Sequence, residues 1–209
     1  NANDGISLAQ TAEGALGKIG DALQRMRELA VQSANGSNSD DDRANLDEEY
    51  QELAAEVTRV LTGTKFNGTN LLNTSASLTF QVGADNVTTD QIDIDTTDLT
   101  AGSGVTAVVG GAIATSSGAL AAMDDLDNAI DEITTARATF GAKQNRFDSV
   151  IASLQISSEN LAASRGRIMD ANFAVETSNL SRGQILQQAG TAMVAQANQL
   201  PQGVLSLLR

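Results

Sequence analysis

The chain reads as a mainly α protein: long antiparallel, coiled-coil-like helices with a small β-hairpin region in the middle. Three observations point there. Apolar residues recur at alternating steps of three and four over long stretches near both ends. The single proline, Pro201, sits close to the C-terminus and leaves the remainder free to form uninterrupted helix. Aromatics are only 3% of the residues, so Ala, Leu, Ile and Val must carry the burial. Small aliphatic side chains suit helix-on-helix packing.

The first helix extends to about Ala34. Ala9, Ala12, Leu16, Ile19, Leu23, Met26 and Ala30 form its apolar strip, and Arg25, Arg27, Glu28 and Gln32 fall outside it. Asn35-Gly36-Ser37-Asn38 then breaks the pattern as a tight turn. Ser39, with Asp42 three residues on, predicts a capping box. The second helix carries Leu46, Tyr50, Leu53, Val57 and Val60 on its strip. A turn this short packs the two helices antiparallel.

From Thr62 to Gly118 the composition shifts to Gly, Thr, Ser and Asn. Leu78–Val82 and Gln91–Ile94 alternate with period two around a Gly83–Asn86 turn and predict a β-hairpin. Gly102–Ser117 reads as loop or a weak strand. The helical period returns near Ala119 with Met123, Leu126, Ile130, Ile133, Phe140, Phe147, Ile151, Leu154 and Leu161. This predicts a helix of more than about 40 residues, about 60 Å long. Arg137, Gln144 and Ser158 interrupt its strip, and the first two are expected to set register between helices. Asp170–Asn179 looks irregular, and Ser181 with Gln184 predicts a capping box for a terminal helix. Four segments follow: a two-helix stretch over 1–61, a β and loop region over 62–118, a long helix over 119–164 and a terminal segment over 165–209.

Ile185–Arg209 is the most informative stretch. Ile185, Ala189, Met193, Ala197 and Leu200 recur along one helical strip, and Val204, Leu207 and Leu208 crowd the last turns. An apolar terminus of this kind needs protein to cover it. Association rather than chemistry is the expected function.

Composition excludes several alternatives. A net charge of −13 argues against nucleic acid and against anionic membrane surfaces as partners. With no Cys and no His, thiol chemistry, thiolate zinc sites and histidine-based nucleophiles are absent. A cysteine-free chain suits a protein that travels unfolded and assembles outside the cell. No run approaches the roughly 20 apolar residues of a membrane span. Asp90, Asp93, Asp95 and Asp98 lack EF-hand spacing and read as a solvated acidic loop. Asp124, Asp125, Asp127, Asp131 and Glu132 read as a charged helix face. Asn35-Gly-Ser, Asn67-Gly-Thr, Asn73-Thr-Ser and Asn86-Val-Thr fit the glycosylation pattern, as chance allows in so Asn- and Thr-rich a chain. Gly102-Ser-Gly104 and Gly110-Gly111 lack the strand-to-helix context of a phosphate loop. No catalytic residue, metal ligand or cofactor is assigned, and the chain is expected not to be an enzyme.

Several long motifs resemble bacterial flagellin, the subunit of the flagellar filament. They are Asn1–Ile6, Ala12–Leu16, Leu23–Gln32, Thr64–Gly68, Phe80–Gly83, Gly141–Phe147, Ser158–Leu161 and the whole of Ile185–Arg209. The resemblance implies a secreted, extracellular building block of the bacterial flagellum. Such a subunit self-assembles through its N- and C-terminal helices into a hollow tube for swimming motility. It further implies that the chain is an N-terminally truncated fragment with reduced outer domains. The missing residues would pair with Ile185–Arg209, and their absence would block normal filament growth.

The resemblance implies three partners: other flagellin copies, a dedicated export chaperone and a vertebrate Toll-like receptor. The chaperone would take the C-terminal strip of Ile185, Ala189, Met193, Ala197, Leu200, Val204, Leu207 and Leu208, which fits a helix-in-groove mode. The family's receptor-contacting pattern maps onto Arg25, Leu29 and Glu49. Leu29 lies off the buried strip and is expected to stand as an exposed apolar knob flanked by charge. The alternative from another class is a cell-surface ligand- or cation-binding protein using Thr62–Gly118. Saturable ligand binding by that region would favour it, whereas salt- and concentration-dependent association would favour the filament subunit.

Overall fold

The computed structural model describes residues 1–170 and 172–207. Two units are formed, residues 1–155 and 156–209. Five helices run α1 (Ala2–Ala34), α2 (Asp40–Gly63), α3 (Ser103–Gly110), α4 (Ser116–Met169) and α5 (Phe173–Leu207). Four short strands lie between α2 and α3: β1 (Lys65–Phe66), β2 (Thr69–Asn70), β3 (Ala76–Gln81) and β4 (Gln91–Thr96). The mainly α architecture with a small β region in the middle of the chain is the one the sequence predicts.

In the first unit, α1, α2 and the first half of α4 share one core. The α1 strip from Ala9 to Ala30 is buried throughout. On α2, Tyr50, Ala54, Val57 and Leu61 are buried, while Leu46, Leu53 and Val60 lie half-buried beside them. Tyr50 and Val57 are thus buried as expected, and Ala54 and Leu61, rather than Leu53 and Val60, complete the buried face. Leu126, Ile133, Phe140 and Phe147 supply the α4 face. Each such side chain, fully buried, contributes roughly 1.5–3 kcal/mol.

The α1–α2 turn is built by capping. Ser39 accepts from the Asp42 backbone N–H while Asp42 accepts from the Ser39 N–H, the predicted capping box. Buried Arg43 then reaches back and donates to the Ser33 and Asn38 carbonyls. It satisfies an orphan carbonyl at the C-terminus of α1, where a cation is also favoured by the helix dipole.

The predicted hairpin is β3–β4, antiparallel, with Leu78 opposite Ile94 and Phe80 opposite Ile92. Phe80 meets Phe147 of α4 edge to face at 5.6 Å. A second, smaller hairpin, β1–β2, turns on Asn67 (φ 48°) and Gly68 (φ 81°). Asn-Gly is the preferred pair for this left-handed two-residue turn. The dipeptide was legible in the sequence, but a two-residue strand carries no measurable alternation.

Two further expectations are corrected. Ser103–Gly110 is helix α3, not loop or weak strand. Eight residues are too few to display a helical period, and the helix is stabilised from outside. Glu132 of α4 accepts from the Gly104 N–H at 2.9 Å, the Val105 N–H at 3.3 Å and the Ser103 hydroxyl at 3.1 Å. Gly104 lies so close to α4 that a Cβ there would sit 2.6 Å from the Ala129 backbone nitrogen. The irregular stretch expected over Asp170–Asn179 is also mostly helical, since α5 begins at Phe173. Asn172 accepts from the Ala174 and Val175 N–H groups, so it caps α5, and Ser181–Gln184 lies inside that helix.

Tyr50 fastens α3 to α2. Its phenol donates to the Val108 carbonyl at 3.2 Å, next to a Gln51 side chain that donates to the Gly111 carbonyl at 2.8 Å. Asp47 accepts from the Ile113 N–H at 2.6 Å, so the segment after α3 is stitched to α2 as well. Burial, reinforced by the Asp125 and Asp47 carboxylates, pushes the Tyr50 phenol up to about 12. Below about pH 10 the phenol is protonated in both states. Between about 10 and 12 only the unfolded chain releases its proton, so stability declines across that window and this contribution is lost above it.

Two measurements check this packing. Tyr50 is the only tyrosine and there is no tryptophan, so tyrosinate ultraviolet absorbance reports it alone. Its midpoint is expected near 12 in the folded protein and near 10 in denaturant. A folded midpoint near 10 would contradict the buried phenol. Gly104→Ala is expected to lower stability by about 1–3 kcal/mol in urea unfolding, because backbone faces backbone and cannot yield. Gly14→Ala, where a Cβ meets nothing within 4 Å, is expected to be neutral or stabilising by up to about 1 kcal/mol.

Candidate assembly and recognition surfaces

Polar side chains flanking the α1–α4 contact fix its direction and register. Arg27 Nε donates to Asp127 Oδ1 at 2.7 Å, and Nη2 donates to Oδ2 at 3.3 Å. Hydrogen bonding to Arg27 holds the Asp127 carboxyl below its ordinary range and raises the guanidinium in return. Towards the other end, Glu13 accepts from Gln144 Nε2 at 3.0 Å and lies 3.8 Å from Arg137. Arg137 and Gln144, the predicted polar interruptions of α4, therefore meet the same carboxylate. Beyond them Gly5 faces Phe147, where a Cβ would stand 2.5 Å from the ring.

The three residues of the receptor pattern lie at the α1–α2 seam. Arg25 Nε and Nη2 donate to Glu49 Oε1 at 2.9 and 2.7 Å, and Nη1 donates to Glu28 at 3.0 Å. Hydrogen bonds to Glu49, then to Glu28, raise the Arg25 pKa above its ordinary value. Both partners are about half exposed, at 49% and 47%. Leu29 does not stand out as a knob: it is 1% exposed and belongs to the core. The expected strip was one residue wide, as in a two-stranded seam. A helix contacted by both α2 and α4 buries a broader face, which takes in Leu29 beside Ala30 and Leu8 beside Ala9. Arg25 and Glu49 are thus the exposed members of this group.

The acidic loop residues each have a local partner. Asp93 accepts from the Thr79 hydroxyl at 2.6 Å and Asp95 from the Ser77 hydroxyl at 2.7 Å. Asp98 accepts from the Thr100 N–H at 3.0 Å, and Asp90 from the Asp85 N–H at 2.9 Å. Lys143 of α4 donates to the Asp93 carbonyl and lies 3.7 Å from Asp95, tying the hairpin to the helix.

The second unit has a different surface. On the α4 portion from Ile156, Ile156, Leu161, Ile168 and Met169 are 62–81% exposed. Leu161, predicted to lie on a buried strip, is uncovered in this chain. On α5, Phe173, Val175, Leu180, Ile185, Leu186, Met193 and Val194 are 55–86% exposed. Ala189 and Ala197 are exposed on the same helix. The side chains of Leu200, Val204, Leu207 and Leu208 lie outside the described residues. No described helix is long and apolar enough to cross a membrane.

A packed helical body joined to long helices with bare apolar side chains describes a structural protein completed by other protein. Comparison with known proteins agrees. Residues 1–77 match the bacterial flagellin N-terminal helical region and residues 123–208 the bacterial flagellin C-terminal helical region. The flagellin of Halalkalibacterium halodurans is 44% identical over 210 residues, spanning 100% of this chain and 76% of that protein. Flagellin FlaB2 of Treponema pallidum is 41% identical over 224 residues, spanning 100% of this chain and 78% of that protein. The crystal structure of Bacillus cereus flagellin superposes with a TM-score of 0.66 at 32% identity, covering 78% of this chain and 93% of that one. The chain belongs to the bacterial flagellin family. Members of this family are structural subunits of the extracellular flagellar filament, built from copies of flagellin, and are not enzymes.

Proposed function

We propose that this chain's exposed terminal faces are covered by the helices of other flagellin copies. The observation that carries the reading is the run of bare apolar side chains from Ile156 to Val194. Exposure on this scale is a liability in an isolated molecule and the expected driving force of an assembly. The first unit contributes the rigid body: α1 and the part of α4 within residues 116–155, held in register by Glu13 and Asp127, transmit load along the helix axes. Export follows the same logic. Ile185, Ala189, Met193, Ala197 and Leu200, with Val204, Leu207 and Leu208 beyond them, form the segment that a dedicated chaperone grips before secretion. The same surface is then handed from chaperone to filament.

Recognition by a Toll-like innate-immune receptor is the second role, and it uses the α1–α2 seam. The exposed Arg25–Glu49 pair supports it, since arginine is enriched among interface hot spots. Leu29 is buried in the core and is not itself the anchor.

Association is measured by light scattering. Ile185→Asp and Ala189→Asp are each expected to abolish concentration-dependent association without changing the helical content of the first unit. Unaltered association would sink the assembly reading. The charge of −13 makes neighbouring bodies repel, so association is also expected to strengthen as salt rises towards about 0.15 M, where the screening length falls to about 8 Å. For the receptor, Arg25→Ala is expected to lower signalling potency in reporter cells roughly tenfold, the size of a hot-spot truncation, with the fold intact. Unchanged potency would remove Arg25 from the contact. Leu29→Asp is expected to lose signalling by unfolding, as it buries a charge.

A further inference from the structure

The four methionines divide sharply by environment. Met26 is 0% exposed in the α1 core, and Met123 is half-buried against the same core. Met169 and Met193 stand 71% and 74% exposed in the second unit. Met193 is also one helical strip with Ile185, Ala189 and Ala197, at steps of four. The remaining described members of that strip are hydrocarbon, so its thioether is their only oxidisable group.

We propose that Met193 is an oxidation site through which peroxides switch off assembly of the free subunit. The chemistry is a two-electron oxygen transfer. The sulfur lone pair attacks one oxygen of hydrogen peroxide, the O–O bond breaks, and after proton transfer the products are the sulfoxide and water. Sulfur is oxidised and the peroxide is reduced. Susceptibility follows exposure, so Met193 and Met169 react while Met26 is protected. The product places a polar, chiral S=O in a strip that assembly must bury. A sulfoxide oxygen there finds no donor in Ile185, Ala189 or Ala197, and burying it against the apolar strip costs desolvation of a polar group. Once the strip is covered the sulfur is shielded, which confines the switch to subunits not yet incorporated. Reduction of the sulfoxide restores the hydrocarbon-like surface. This inference rests on the assembly role proposed above for Ile185–Ala197.

The test uses the full chain, hydrogen peroxide and two readouts. Peptide mass spectrometry is expected to show one added oxygen at Met169 and Met193 at least roughly tenfold faster than at Met26. Light scattering is expected to show the association midpoint of the oxidised chain raised roughly tenfold, with recovery after treatment by methionine sulfoxide reductases. For Met193→Leu, the association midpoint with peroxide is compared with that of the same untreated variant and is expected not to change, whereas Met169→Leu remains peroxide-sensitive. Equal oxidation of Met26, unchanged association with Met193 fully oxidised, or continued peroxide sensitivity in Met193→Leu would each overturn the proposal. Failure of the untreated chain to associate at all would instead overturn the assembly reading, and this inference with it.

Discussion

Antiparallel contact between α1 and α4 is the constraint on which the rest of the first unit depends. It is specified at intervals along its length. At one end Gly5 admits the Phe147 ring to a distance that no Cβ would allow. In the middle Glu13 takes both Gln144 and Arg137. At the other end Arg27 grips Asp127 with two hydrogen bonds. Exposed ion pairs add little to stability. Their value here is positional, since a sliding register would break several contacts together, much as polar residues fix register in coiled coils.

With that contact set, the remaining elements attach to it. Phe147 offers an edge to Phe80 and so seats the β3–β4 hairpin. Lys143, one turn earlier, holds the same hairpin by the Asp93 carbonyl. Glu132 accepts from the N-terminus of α3, and Tyr50 of α2 donates to the Val108 carbonyl near its C-terminus. The α3 helix is too short to be stable alone. It forms because two long helices present a carboxylate and a phenol where its unpaired backbone groups lie.

The second unit obeys the same sequence rules with the opposite outcome. Its apolar side chains recur along the helices, less regularly than those of α1, and they are exposed. All of the acid excess lies within residues 1–155, since basic residues outnumber acidic ones beyond them, so the bare apolar surface is also the least charged part of the chain.

Much of this was legible in the chain itself. The α1 strip, the Ser39–Asp42 capping box, the β3–β4 hairpin and the register role of Arg137 and Gln144 follow from spacing and local chemistry. The α3 helix, the start of α5 at Asn172 and the burial of Leu29 do not. Periodicity reports that a face is apolar, but not how many neighbours it meets, so a strip drawn for one partner omitted the side chain buried by a second. Local pattern likewise cannot reveal a cap supplied from 28 residues away, as Glu132 supplies to Gly104. The sequence by itself determined the long helices, the α1–α2 turn and the β3–β4 hairpin, because these depend on residues close along the chain. Only the tertiary structure decided which apolar faces are satisfied within the molecule and which remain open, because burial is set by what lies across a gap, from segments remote in sequence.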